Sequence, residues 1–274
     1  MAFCRSTILA AATTSAHLGA LSLPLLYTLA APPSSHDARD QASEDSGAGA
    51  RGPADRRAIS VQRKLKETLL KGSVLFGIPP ALEGAFALVE ACRQERQANR
   101  DEAQASERHP RDDSDWFLRQ DQGVPPGGRS LCQDPSSDGQ AESTSQRSID
   151  VVERGEEQLR AVYRHNFPDI AARMGTEMED LKMLTLPINY GLLLSETTVL
   201  DFAETELVIL ASLIPQAMRK ETLWHLRGCL RAGWHPDAVE SVRRVSIAIS
   251  EWATMHRGPI DVPTLDDVRE DRND

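Results

Sequence analysis

Two neighbouring stretches of this chain carry ionisable side chains where packing alone would not place them. Glu204-Thr-Glu206-Leu-Val-Ile-Leu-Ala-Ser-Leu213 and Leu223-Trp-His225-Leu-Arg227-Gly-Cys229-Leu-Arg-Ala-Gly233 both read as helices, joined by a short turn. An imidazole exchanges protons near neutral pH, so His225 is a candidate general acid or base. If the hairpin turns near Ala217, Glu206 lies level with Gly228 and Cys229, and Cys229 is one turn past His225 on the same face. A Glu-Cys-His cluster is then sterically allowed, with Cys229 as a candidate reactive thiol. Plain readings stand beside these. A histidine can be packed and satisfied, acids in an opening turn are favoured by the helix dipole, and a buried free cysteine behaves as a small hydrophobe. The dipole reading is the one adopted for Glu204.

The surrounding elements are helical. Leu65, Leu69, Leu70, Val74 and Leu75 recur at helical spacing and predict a helix ending near Gly77-Ile-Pro-Pro80, with a second from Ala81 to Cys92. The period resumes from Ile149 through Val152, Leu159, Val162 and Tyr163. It continues over Ile170 to Met174, Leu181 to Leu194 and Val199 to Gln216, where Gln216 ends its helix and is placed to line a cleft. His235-Pro236-Asp237 opens a further helix, because Pro suits the first helical position and Asp the positive end of the dipole. Gly228 permits a close helix approach, and Gly233 reads as a C-cap. No run alternates as a strand would, so the fold class is all-α.

A weak internal repeat adds to this. Leu23 and Leu26 stand 200 positions before Leu223 and Leu226, Ile8-Leu-Ala-Ala11 stands 201 before Ile209-Leu-Ala-Ser212, and the helix from Leu65 matches that from Val239 in pattern. The expectation is two copies of one helical unit in a single bundle, over residues 1–92 and 150–257. The positions equivalent to Glu206 and His225 are Ser6 and Leu25, so a site belongs to the second copy alone. Residues 34–57 and 93–149 are polar with no period and predict disordered segments outside the fold, Trp116-Phe117-Leu118 forming a local apolar cluster in the second. Residues 258–274 form an acidic tail.

Bulk properties exclude several function classes. A net charge of −10 and the absence of clustered Lys and Arg argue against nucleic acid. The four cysteines, at 4, 92, 132 and 229, have no metal-ligand or Cys-x-x-Cys spacing, so neither a metal site nor a cofactor is expected. Thr7 to Ala31 carries no formal charge but is punctuated by Gly19 and Pro24. It reads as a buried helix-turn-helix rather than a membrane span or targeting segment, and the expected compartment is the cytoplasm before the mitochondrion.

Gly155-Glu-Glu-x5-Tyr163, Tyr190-Gly191, Glu204 to Leu210 and the His225-Leu-Arg-Gly-x-Leu-x-x-Gly233 run together resemble the carboxymuconolactone decarboxylase family, related to the alkylhydroperoxidase D-like proteins. The resemblance covers about Gly155 to Ser250 and implies an alkylhydroperoxidase D-like helical bundle and a homo-oligomer. Thiol peroxidases of that family carry Glu-x11-Cys-x2-Cys-x3-His. Laid on this chain, the motif falls on Glu206, Met218, Glu221 and His225, so both thiols are missing and dithiol peroxidase chemistry is not expected. The resemblance then implies the decarboxylase branch: a small acidic lactone or carbonyl substrate, His225 and Glu206 catalytic, Arg227 on the substrate carboxylate, and the Tyr190 hydroxyl reaching the pocket. Residues two apart on a helix point about 200° apart, so His225 and Arg227 share a pocket only if another subunit closes it. The alternative is a non-catalytic helical oligomerisation or interaction module.

Overall fold

The computed structural model describes residues 2–30, 53–102, 141–197 and 199–256. Most of the expected 34–57 loop, the Trp116-Phe117-Leu118 cluster and the acidic tail lie outside the described residues. Those described are helical, with no strand among them, so the all-α class holds.

Helix α1 (Ala2–Ser15) and α2 (Gly19–Ala30) form a hairpin that turns at His17, whose φ of 62° is left-handed. The uncharged N-terminal stretch is the expected helix-turn-helix, but it is buried only in part, because α2 leaves Leu21, Leu25 and Leu29 exposed. Helix α3 (Pro53–Phe76) starts inside the expected loop, with Pro53 at the first helical position, where its missing N–H costs nothing. It ends at Gly77 (φ 88°), and α4 (Ile78–Glu102) follows directly. Helix α4 overruns the expected boundary at Cys92. Extending a formed helix needs no new nucleus, and Glu90 bonds both Arg93 (3.0 Å) and Gln94 (3.2 Å) across one turn. Helix α5 (Ala141–Tyr163) likewise begins within the expected insert.

A 3₁₀ turn (Arg164–Asn166) leads to α6 (Phe167–Glu177) and the short α7 (Glu179–Met183). The expected continuous helix to Leu194 instead widens into a π segment, Leu184–Leu194. Pro187 within it has no N–H to donate, and at its end Ser195 N–H reaches back five residues to the Tyr190 carbonyl (2.8 Å). Helices α8 (Phe202–Leu213), α9 (Arg219–Arg231) and α10 (Pro236–His256) complete the bundle. Helix α8 starts three residues later than its periodicity suggests because Asp201 caps it. Asp201 Oδ1 accepts from Glu204 N–H (2.7 Å), and Glu204 returns its carboxylate to Asp201 N–H (3.2 Å). The plain reading of Glu204 therefore holds, with Lys64 as its ion-pair partner (2.5 Å).

Helix α8 is buried on all sides from Thr205 to Leu213 and is the axis of the molecule. Helix α1 lies against it, and Ser15 Oγ donates to the Ser212 carbonyl (2.6 Å). The alanines of α1 divide between two cores, Ala10 packing with Leu23, Leu65 and Leu88, Ala11 and Ala12 with Leu207, Leu210 and Val239. Their small side chains let α1 sit between both. A third core, with Leu159, Val162, Leu186, Leu194, Ile209 and Leu213, joins α5 and the π segment to the opposite face of α8.

Candidate functional site

Helix α8 delivers Glu206 and α9 delivers His225 to the same point between α8, α9 and α5. The hairpin joining them turns at Ala217 (φ 55°), as the register requires. His225 Nδ1 lies 3.0 Å from Glu206 Oε2, and both side chains are buried. An ionised carboxylate only accepts, so Nδ1–H donates and Nε2 is left as an acceptor. Tyr163 Oη stands 3.3 Å from that Nε2, and Tyr190 Oη is 3.2 Å from Tyr163 Oη. The four groups form one chain, Tyr190, Tyr163, His225, Glu206, in which each member can donate toward the carboxylate.

Burial keeps both phenols protonated. It is the main cause that pushes Tyr163 up to about 12, and Tyr190 is raised for the same first reason, with the neighbouring Tyr163 next. Each hydroxyl is therefore a donor at neutral pH. Trp224 packs edge-on against Tyr163 with ring centroids 5.0 Å apart, and Lys220 Nζ sits 4.8 Å from the Trp224 centroid, so α9 supplies the wall between the chain and solvent.

Small residues make room. A Cβ at Gly228 would lie 2.1 Å from Glu206 Oε2, so only glycine lets the carboxylate occupy this position. A Cβ at Gly155 would meet the Leu186 carbonyl at 2.4 Å, so α5 and the π segment touch through backbone. Arg154 clamps that contact by donating to the Gly191 carbonyl (2.9 Å). The Gly155-to-Tyr163 and Tyr190-Gly191 motifs thus fit together, and their tyrosines meet at the imidazole.

Of the residues picked from sequence, Glu206, His225 and Tyr190 converge and the others do not. Arg227 is exposed, on the side of α9 away from His225, as the helical angle requires. Gln216 lies in the turn beyond α8, which ends at Leu213 and not at Gln216 as expected, and it donates to the Ser212 carbonyl (2.8 Å), satisfying the last turn of that helix. Cys229 is fully buried, and desolvation, with the Glu206 charge second, pushes its thiol well above the usual range. A thiol held protonated is a poor nucleophile. Met218 is exposed and Glu221 half-buried, and Cys92 is a free thiol buried like Cys229. No group of side chains among the described residues has the make-up of a metal site.

Two participants were missed. Tyr163 belonged to a quoted motif, yet no local signal marked its hydroxyl as the third member of the chain. Lys71, on α3, is fully buried and donates to the carbonyls of Leu194 (3.1 Å) and Glu196 (2.6 Å) and to Thr205 Oγ1 (2.7 Å). It ties the end of the π segment to α8 one residue before Glu206.

Among the described residues one surface cavity of about 350 Å³ lies between α9 and α10, and another of about 460 Å³ lies between α2 and α10. Neither is lined by a member of the hydrogen-bonded chain. Glu206 Oε1 is buried and has no hydrogen-bond partner among the described residues.

The chain is similar to two yeast peroxisomal proteins. Peroxisomal protein 2 of Saccharomyces cerevisiae is 28% identical over 189 residues, covering 69% of this chain and 61% of that protein. Peroxisomal protein 2 of Schizosaccharomyces pombe is 31% identical over 103 residues, covering 38% of this chain and 48% of that protein. The chain thus spans less than two thirds of the length of either relative. No family model and no solved structure matches it. These relatives overturn the expectation of a decarboxylase acting on an acidic lactone. They are named as peroxisomal proteins, not as lyases, and the arginine assigned to the substrate carboxylate faces solvent. No helix among the described residues is long and apolar enough to cross a membrane.

Proposed function

We propose that this chain is a peroxisomal protein whose working site is the buried Glu206–His225–Tyr163–Tyr190 chain, which moves protons to and from a small molecule without a reactive thiol. The peroxisome replaces the cytoplasm as the expected compartment, on the strength of the two relatives' names. The alkylhydroperoxidase D-like architecture remains our reading of the bundle, because the Glu206 and His225 spacing quoted for that family brings the two side chains into contact. The observation that carries the site is the pairing of a 3.0 Å Nδ1···Oε2 contact with a 3.3 Å Nε2···Tyr163 contact on one imidazole. Such a ring is fixed in orientation and tautomer, and Tyr163 Oη can take a proton from the small molecule as it passes its own to Nε2, leaving an imidazolium held by the Glu206 carboxylate.

His225 is 2% exposed and Tyr163 8%, so a small molecule reaches the hydrogen-bonded chain only when a side chain around it moves. The test has two arms. Untagged chain, located by antibody, should coincide with a peroxisomal matrix marker; a diffuse distribution contradicts the compartment. Peroxisome-enriched fractions from cells carrying wild-type chain or His225→Ala should differ in the level of a small molecule. Identical profiles, with the variant folded, contradict the proton-transfer reading.

A further inference from the structure

Helices α2 and α4 lie side by side with their backbones in contact, since a Cβ on Gly19 would stand 3.4 Å from Gly84 Cα. Each carries an apolar stripe on its outer side. On α2 this is Leu21, Leu25 and Leu29, which are 69%, 64% and 78% exposed. On α4 it is Ile78, Leu82, Phe86 and Val89, at 59%, 46%, 68% and 43%. The spacing within each stripe is three to four residues, one face of a helix. The 460 Å³ groove, wholly apolar in its exposed lining, continues the α2 stripe toward Ile249 and Trp252 of α10.

We infer that this face is the interface with a second copy of the chain, paired about a two-fold axis. The seven side chains expose on the order of 700 Å² of apolar surface, close to the ~800 Å² per partner of a stable interface and above what a monomer normally leaves in water. An isologous contact is the economical way to cover it, because each copy brings the same two stripes. Other occupants fit less well. Residues 31–52 hold no Leu, Ile, Val, Met, Phe, Tyr or Trp, and Trp116-Phe117-Leu118 brings three side chains to a face of seven. The C-terminal stretch interleaves its apolar residues with Asp261, Asp266 and Asp267, which would meet the acid Glu83. A bilayer surface would call for basic residues beside the apolar stripe, and there is no Lys or Arg in residues 19–30 or 78–92.

Sedimentation equilibrium of the full chain at micromolar concentration should give a dimer. Leu25→Asp combined with Phe86→Asp should weaken it at least ~tenfold with the helical circular-dichroism signal unchanged, since both side chains face outward. A monomeric wild type overturns the proposal, as does a dimer that the double variant leaves intact. If the double variant misfolds, hydrogen exchange on a dilution series of the wild type decides. Protection of residues 19–30 and 78–92 that falls on dilution supports the interface; protection that is constant or changes elsewhere overturns it. Flotation with phosphatidylcholine–phosphatidylserine vesicles forms the last arm, and a monomer that floats assigns the face to a membrane instead.

Discussion

Gly228 and the Glu206 carboxylate occupy the same small space, and the carboxylate is there only because Gly228 has no side chain. A Cβ at 228 would lie 2.1 Å from Oε2 and 3.4 Å from Val162 Cγ1, so neither α9 nor the carboxylate can yield without disturbing α5. Gly228→Ala should therefore cost about 1–3 kcal/mol in denaturant unfolding and break the Glu206–His225 contact. A variant as stable as wild type with an unchanged His225 resonance would show that the carboxylate sits elsewhere.

Tyr163 makes stability depend on alkaline pH with a defined sign. Its folded value is about 12 against 10.0 unfolded, so between these values the folded state holds the proton and the unfolded state has lost it. The contribution is complete below pH 10 and fades as pH rises toward 12, by roughly 3 kcal/mol for this one group. Tyr190 is shifted in the same direction. Tyr163→Phe should lose about 1–2 kcal/mol at neutral pH, from the two hydrogen bonds, and flatten the alkaline decline. Urea midpoints of both proteins across pH 8 to about 11 measure it.

Lys71 is the buried cation that fixes the π segment to α8. Lys71→Met should leave the Leu194 and Glu196 carbonyls and Thr205 Oγ1 without this donor, a loss of about 2–4 kcal/mol. Hydrogen exchange should quicken over residues 186–206 before it does in α9. Uniform quickening would mean that Lys71 supports the bundle generally and not this junction.

Much of the site was legible because helical periodicity settles which residues share a face. Turning the α8–α9 hairpin at Ala217 brings Glu206 level with Gly228, and the structure does this; the same arithmetic sends Arg227 to the outside. Tyr163 was not legible as a member, because its hydroxyl meets His225 across 62 residues and a hydrogen bond at that separation leaves no local pattern. Lys71 was hidden for the same reason. It lies in a stripe of Leu65, Leu69 and Leu70, where a lysine reads as solvent-facing until its partners on other elements are known. The π segment was read as α-helix because a periodicity of apolar residues does not distinguish the wider turn from the normal one over eleven residues.

Cys229 should be inert in the folded protein. It is fully buried with its thiol pushed up, so iodoacetamide should modify it only at the rate of global unfolding, and Cys229→Ser should leave any activity intact. Rapid alkylation under native conditions would return a reactive thiol to the site.

The central claim is the ordered hydrogen-bond chain through His225, and long-range ¹H–¹⁵N correlation on the histidine-labelled full chain reads it directly. At neutral pH the account predicts the Nδ1–H tautomer for His225, with a slowly exchanging Nδ1 proton that Glu206→Gln shifts or removes and an Nε2 signal that Tyr163→Phe moves. An Nε2–H tautomer, or a His225 ring whose signals ignore both substitutions, would contradict it.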